Sequence, residues 1–251
     1  MLRPQDTTTR ETKRLDGIWS FAADPGGVGR ADGWWRGALR DARRMPVPSS
    51  FNDVLVDPRL HDHVGDVWYQ RQVFIPRGWA GQRIVLRSDA ATHRAAVWID
   101  ETCVMEHEGG YTPFEADVSA LVVPGAACRL TVVVNNELTW ESIPPGIVEV
   151  LADGSHRQRQ YHDFFNYAGL HRSVWLSTTP RTHIDDVTVT TDIDQGAGVV
   201  RYAVRAVGAD GMTVRVLLRD AEGREVAAAE GAGGSLRVDN PALWGPGRGS
   251  S

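Results

Sequence analysis

Val67-Trp68-Tyr69-Gln70-Arg71-Gln72-Val73-Phe74-Ile75-Pro76 mixes aromatic and β-branched residues and stops at a proline. Such stiff, bulky side chains suit a pleated, half-buried surface, and proline cannot donate to a strand ladder. The segment reads as a strand, and its neighbours repeat the pattern. Arg83-Ile84-Val85-Leu86-Arg87 follows a glycine turn. Ala95-Ala96-Val97-Trp98-Ile99 runs into Asp100-Glu101-Thr102, and Cys103-Val104-Met105 returns as the second arm of a hairpin. Arg129-Leu130-Thr131-Val132-Val133-Val134 ends at Asn135-Asn136, and Val174-Trp175-Leu176 precedes Thr178-Thr179-Pro180. Short apolar runs bounded by turn formers at this spacing predict a sandwich or barrel. Trp68, Phe74, Trp98 and Trp175 are expected in its core. One helix is predicted, Gly33 to Arg44, with Trp35, Leu39 and Ala42 on one face and Asp32 as its N-cap.

The composition changes after Pro180. No tryptophan occurs between Val187 and Val238, and alternating strands replace the aromatic ones. These are Val187-Thr188-Val189-Thr190, Val199 to Val204, Thr213 to Leu218, and Glu225-Val226-Ala227-Ala228 after an Asp220–Arg224 turn. The rhythm is that of an immunoglobulin-like sandwich, with about five strands where such a domain has roughly seven. The fold expected is therefore all-β. A jelly-roll sandwich over residues 1–180 precedes an incomplete immunoglobulin-like sandwich over 181–244, and 245–251 is read as a flexible tail.

The 251 residues are 42% hydrophobic and 24% charged, which excludes a chain too polar to bury a core. A net charge of −5 argues against general nucleic-acid binding, which needs clustered positive charge. Cys103 and Cys128 form neither a disulfide framework nor a zinc site, and are read as small buried hydrophobes in a reducing, cytoplasmic compartment. Met1 to Leu15 has no apolar core of a signal peptide, and no run approaches the roughly 18 apolar residues of a membrane span. His61-Asp62-His63 is read as a polar loop rather than a metal site. His107-Glu108-Gly109-Gly110-Tyr111 lacks the second histidine of a zinc-protease helix and carries two glycines that break it. Arg36, Arg40 and Arg44 are read as a solvated helical face. No metal or cofactor is expected.

The segment Tyr161-His162-Asp163-Phe164-Phe165-Asn166-Tyr167-Ala168-Gly169-Leu170-His171-Arg172 lacks strand alternation and concentrates four aromatic rings with histidines, a carboxylate, an amide and an arginine. Aromatic faces cover sugar C–H surfaces while carboxylates and amides bond to hydroxyls, so it reads as a carbohydrate-facing loop. An aromatic loop packed on its own sandwich or on a neighbouring domain has the same composition. The loop is expected to be exposed and loosely held.

Several ordered motifs carry a resemblance. Trp68-Tyr69-Gln70-Arg71, Gly110-Tyr111-Thr112-Pro113-Phe114, Val134-Asn135-Asn136 and Phe164 to Arg172 resemble the N-terminal region of glycoside hydrolase family 2. Met1-Leu2-Arg3-Pro4, Ser50-Phe51-Asn52-Asp53, Gly78 to Arg87 and Met105 to Gly110 are similar to its bacterial β-glucuronidases. The resemblance implies a jelly-roll sugar-binding domain and an immunoglobulin-like sandwich, followed in the family by a (β/α)8 barrel that holds both catalytic glutamates. It implies no catalytic residue in this chain, no cofactor, a glucuronide sugar as ligand through the full-length enzyme, the barrel as partner, and a homo-oligomer at full length. Asp163 of the His162-Asp163-Phe164-Phe165-Asn166 motif is the substrate-binding residue it implies, with His162 beside it. The chain is expected to be a truncated part of such an enzyme, inactive alone. The alternatives are a free-standing carbohydrate-binding module and a subunit that complements a separate barrel.

Overall fold

The computed structural model describes residues 3–243. Trp244 and the expected tail, 245–251, lie outside the described residues. The chain forms two compact units, Met1–Pro180 and Arg181–Ser251.

Strands β1 (Thr12–Arg14), β2 (Gly17–Ala23), β3 (Arg43–Val47), β4 (Asp66–Phe74), β5 (Arg83–Ser88) and β6 (Arg94–Ile99) open the first unit. They are followed by β7 (Thr102–Glu108), β8 (Phe114–Asp117), β9 (Ala127–Asn135), β10 (Gly146–Val150), β11 (His156–Gln160) and β12 (Val174–Thr179). While β10 and β11 pair as a separate hairpin, the other ten strands form two antiparallel sheets, a six-stranded one in the order β3-β2-β4-β9-β6-β7 and a four-stranded one in the order β1-β12-β5-β8. This is the jelly-roll sandwich. Period-two alternation fills it: Val67, Tyr69 and Val73 of β4, Leu130, Val132 and Val134 of β9, and Val97 and Ile99 of β6 pack with Ile84, Leu86, Val174 and Leu176 of the other sheet.

The outer face of the large sheet carries a second cluster. Trp68 and Ala96 both pair with Val133, and Trp98 lies opposite Thr131. Trp34, Trp35 and Leu39 cover these residues. The covering segment corrects the predicted helix. Helix α1 spans only Gly29–Asp32, so Asp32 ends a helix rather than capping one, and Gly33 at φ 65° stops it. A single 3₁₀ turn, Trp34–Arg36, follows and ends at an extended Gly37. Distant side chains claim the backbone groups a helix would have used. Gln70 accepts from Leu39 N at 3.1 Å and donates to Gly37 O at 2.8 Å, and Arg129 donates to Trp35 O and Arg36 O at 3.1 and 2.9 Å. No arginine stripe forms.

Trp68, Trp98 and Trp175 are buried, as expected, but Phe74 is 54% exposed. It lies on the same outer face of β4 as Trp68, beyond the reach of the covering segment; Lys13 Nζ lies 5.7 Å from its ring centre. Cys103 is likewise exposed, at the start of the edge strand β7, whereas Cys128 is buried in the core. Two short helices follow β3, α2 (Phe51–Val54) and α3 (Pro58–His61); His61 lies in α3, and His63 bonds to the carbonyl of Asp66 at 3.0 Å, so the His61-Asp62-His63 run is a structural turn. Among the described residues no three metal-ligating side chains converge.

The second unit holds β13 (His183–Asp194), β14 (Ala197–Val207), β15 (Arg215–Arg219), β16 (Glu225–Glu230) and β17 (Gly233–Val238). They make a β13-β14-β17 sheet and a β15-β16 hairpin, the immunoglobulin-like sandwich with five described strands. Its core is thin: Ala197, Tyr202 and Leu236 are buried, while Val187, Val189 and Ile193 of β13 are more than half exposed. No described helix is long and apolar enough to cross a membrane.

Candidate functional site

The non-alternating segment forms a loop between β11 and β12 with two differently treated halves. Residues 161–165 are exposed, and the side chains of His162 and Asp163 make no hydrogen bond or ion pair among the described residues. Asp163 is not paired with Arg172. The following residues are clamped. Asn52 Nδ2 donates to Asn166 O at 2.9 Å, and His93 Nε2 donates to Asn166 Oδ1 at 3.0 Å. Ala168 N donates to Ser50 Oγ at 2.8 Å, Phe51 N to Ala168 O at 3.1 Å, and Thr92 N to Gly169 O at 3.1 Å. The loop is thus exposed but not loosely held. Its base is tied to residues 50–52 at the start of helix α2 and to the residues just before β6, which leaves the exposed His162-Asp163 tip without a side-chain partner among the described residues.

Aromatic packing stiffens the tip from beneath. Tyr111 meets Phe164 edge-on at 5.8 Å and His171 at 5.5 Å, and Tyr167 stacks on His171 at 5.7 Å. Trp140 stacks on Tyr161 at 4.8 Å. Geometries of this kind contribute about 0.5–1.5 kcal/mol each beyond burial. Asn135 and Asn136 brace the neighbouring turn. Asn135 Nδ2 donates to Asp66 Oδ1 at 2.9 Å, and Asn136 donates to His63 O at 2.9 Å and accepts from Gly65 N at 2.8 Å.

His93, Asn52 and His171 are the residues sequence reasoning missed as supports of this loop. His171 lies in the loop segment itself and Asn52 in a stretch that carries the family resemblance, but nothing local links Asn52 or His93 to the tip. His93 is separated from Asn166 by 73 positions, so no periodicity connects them. His93 Nδ1, Tyr111 Oη and His171 Nε2 are buried without a hydrogen-bond partner among the described residues, all in this one aromatic cluster.

Burial holds His171 down to about 4, with the Arg172 charge adding to it, and burial also lowers His93. A histidine whose folded pKa is depressed binds more protons when unfolded, so it withdraws stability as pH falls below the unfolded value near 6.5. For His171 the loss accrues down to about pH 4 and then levels. The urea midpoint should therefore fall between pH 6.5 and pH 5, a window above most carboxylate titration. His171→Gln should flatten that slope, and a slope unchanged in the variant would exclude His171 as its source.

Chemically, the tip offers one carboxylate and one imidazole on a preorganised base, suited to hydrogen-bonding a polyol. It holds no pair of carboxylates set to cleave a bond.

Comparison with known proteins gives this geometry a context. The family model of the glycosyl hydrolases family 2 sugar binding domain matches residues 12–180. A β-glucuronidase of Paenibacillus borealis is 46% identical over 251 residues, covering 98% of this chain and 42% of that protein. The human β-glucuronidase is 45% identical, covering 98% of this chain and 41% of that protein. The crystal structure of Ruminococcus gnavus β-glucuronidase matches with a TM-score of 0.85 at 39% identity, over 97% of this chain and 41% of that one. A structure of the same bacterium's enzyme in complex with D-glucuronic acid matches with the same TM-score, 0.85. The chain thus spans about two-fifths of the length of the curated relatives it matches. Since that family model matches residues 12–180, most of the chain, the chain belongs to glycosyl hydrolases family 2.

Proposed function

We propose that this chain is the N-terminal, non-catalytic portion of a retaining β-glucuronidase, and that its Asp163 and His162 hydrogen-bond the hydroxyls of a glucuronide held mainly by a catalytic barrel. The carrying observation is an unpartnered Asp163 carboxylate on a loop whose base is clamped through Asn166. The relatives named β-glucuronidase, at 45–46% identity, support the activity. Retaining hydrolysis needs an acid and a nucleophile about 5–5.5 Å apart across the scissile bond. In this reading the barrel supplies both, and the 251-residue chain alone hydrolyses no aryl β-glucuronide. A reducing, cytoplasmic setting belongs to the same reading, supported by two free cysteines, one of them exposed.

The test is Asp163→Ala in the longer protein that includes the barrel. Loss of a hydrogen bond from a charged group removes about 1.5–3 kcal/mol, so kcat/KM for an aryl β-glucuronide should fall roughly ten- to a hundredfold. The melting temperature should not move, because the Asp163 side chain makes no hydrogen bond or ion pair among the described residues. A kcat/KM within twofold of the parent would overturn the assignment.

A further inference from the structure

One cavity of the first unit is remote in the sequence from the 161–166 tip. It is a cleft of about 1010 Å3 between the covering segment, β2 with the edge strand β3, and α3, with Trp34, Arg40, Asp41, Arg43 and Arg59 in its walls. Its volume stands at the upper end for small-molecule sites, which leaves room for several sugar rings rather than one. Nothing in the loop chemistry above uses it.

Three properties of its walls specify a ligand. The first is an aromatic platform. Trp34 is half-buried, and its ring rests on Trp68 at 5.7 Å while still lining the cleft. The second is a balanced set of polar groups. The guanidiniums of Arg40, Arg43 and Arg59 share the cleft with the carboxylates of Asp32, Asp41 and Asp57, so it carries no net charge from them. Arg43 and Arg59 are both held on Asp57 Oδ2, at 3.7 and 3.1 Å, whereas the side chains of Arg40, Asp32 and Asp41 have no partner among the described residues. The third is a preformed wall. Gln70 and Arg129 fasten the backbone of residues 35–39 to the sheet, so little ordering would accompany binding.

A polyphosphate or polyanionic chain would meet as many carboxylates as guanidiniums here. A purely apolar partner would leave charged groups desolvated and unpaired. A neutral polyol satisfies all three properties: its C–H faces lie on the indole, and its hydroxyls both donate to carboxylates and accept from guanidiniums. We propose that this cleft is an accessory binding site for a neutral oligosaccharide, separate from the glucuronide-facing tip and non-catalytic.

The experiment is isothermal titration of the full 251-residue chain with neutral hexaoses of glucose, xylose, mannose and galactose, and with trigalacturonate as the acidic probe. Saturable binding of at least one neutral hexaose is expected, with Kd below about 1 mM, equivalent to about 4 kcal/mol. Trp34→Ala should weaken it at least tenfold. Because Trp34 also packs on Trp68, the decisive variants are Arg40→Ala and Asp41→Asn, which remove exposed, unpartnered groups; each should weaken binding at least threefold with an unchanged near-ultraviolet circular dichroism spectrum. Asp163→Ala should retain the affinity, which separates this site from the proposed glucuronide contact. Absence of saturable binding to every neutral hexaose, binding untouched by both decisive variants, or tighter binding of trigalacturonate than of any neutral probe would overturn the proposal.

Discussion

Trp68→Ala is expected to destabilise the first unit by about 3–5 kcal/mol, the range for truncating a large aromatic side chain in a well-packed site. Trp68 is fully buried. Its ring lies 5.7 Å from Trp98, 6.2 Å from Trp35 and 5.7 Å from Trp34, and so joins the sheet to its covering segment. Its indole N–H points to Asp24 Oδ2 at 3.4 Å, a carboxylate that also accepts from Val28 N and Gly29 N at 2.9 and 2.7 Å. Truncation would leave a cavity under two tryptophans and remove one donor from a buried carboxylate. Gln70 and Arg129 still hold the covering backbone, so collapse into the space would be partial. The urea midpoint measures the loss, and amide exchange should show residues 34–39 opening more readily than β9. A loss below about 1 kcal/mol would mean that the outer cluster is not a cooperative part of the unit.

Gly169→Ala should be nearly as damaging, at about 3 kcal/mol, and should reach the candidate site. Gly169 has φ 89°, where an L side chain is strained. An added Cβ would lie 2.1 Å from Tyr69 Oη and 3.2 Å from Phe51 Cδ1. Both rings are fully buried, and Phe21 packs on each of them, at 5.1 Å from Tyr69 and 5.7 Å from Phe51, so neither can swing aside. Overpacking contributes about 1–3 kcal/mol and the backbone conformation about 1–2 kcal/mol. Reduced freedom of the unfolded chain offsets about 0.4–1 kcal/mol of this. The backbone of residues 168–170 must move to relieve the clash, and with it the Asn166 clamp. In the longer protein, kcat/KM should therefore fall even at temperatures where the variant remains folded. A thermal transition within 2 °C of the parent would contradict the packing argument. An unchanged kcat/KM beside a lowered transition would separate the loop base from sugar binding.

The strands were legible because alternation is local. In β4, β6 and β9 the odd or even set faces the inter-sheet core, and a period of two needs no knowledge of the partner strand. The 161–172 loop was legible for the opposite reason, since it broke that period while concentrating polar and aromatic groups. The family was legible from motifs that keep their order along the chain.

What the sequence left open were the places where one segment's conformation depends on another far away. Trp35, Leu39 and Ala42 have helical spacing, yet Gln70 and Arg129 take the backbone carbonyls and N–H of that segment and hold it flat on the sheet. Phe74 shares a face with Trp68, but whether that face is covered depends on how far residues 34–39 extend over it, and they stop short of Phe74. Asn166 is held by His93 and Asn52, which lie 73 and 114 positions away in the chain. By itself, then, the sequence determined the all-β plan, the strand positions, the family and the exposed His162-Asp163 tip, because each is written in local period or ordered motif. The tertiary structure alone decided the clamped base of the loop, the tryptophan-covered outer face and the cleft beside it, because side chains that claim a distant backbone carry no signature in the segment they claim.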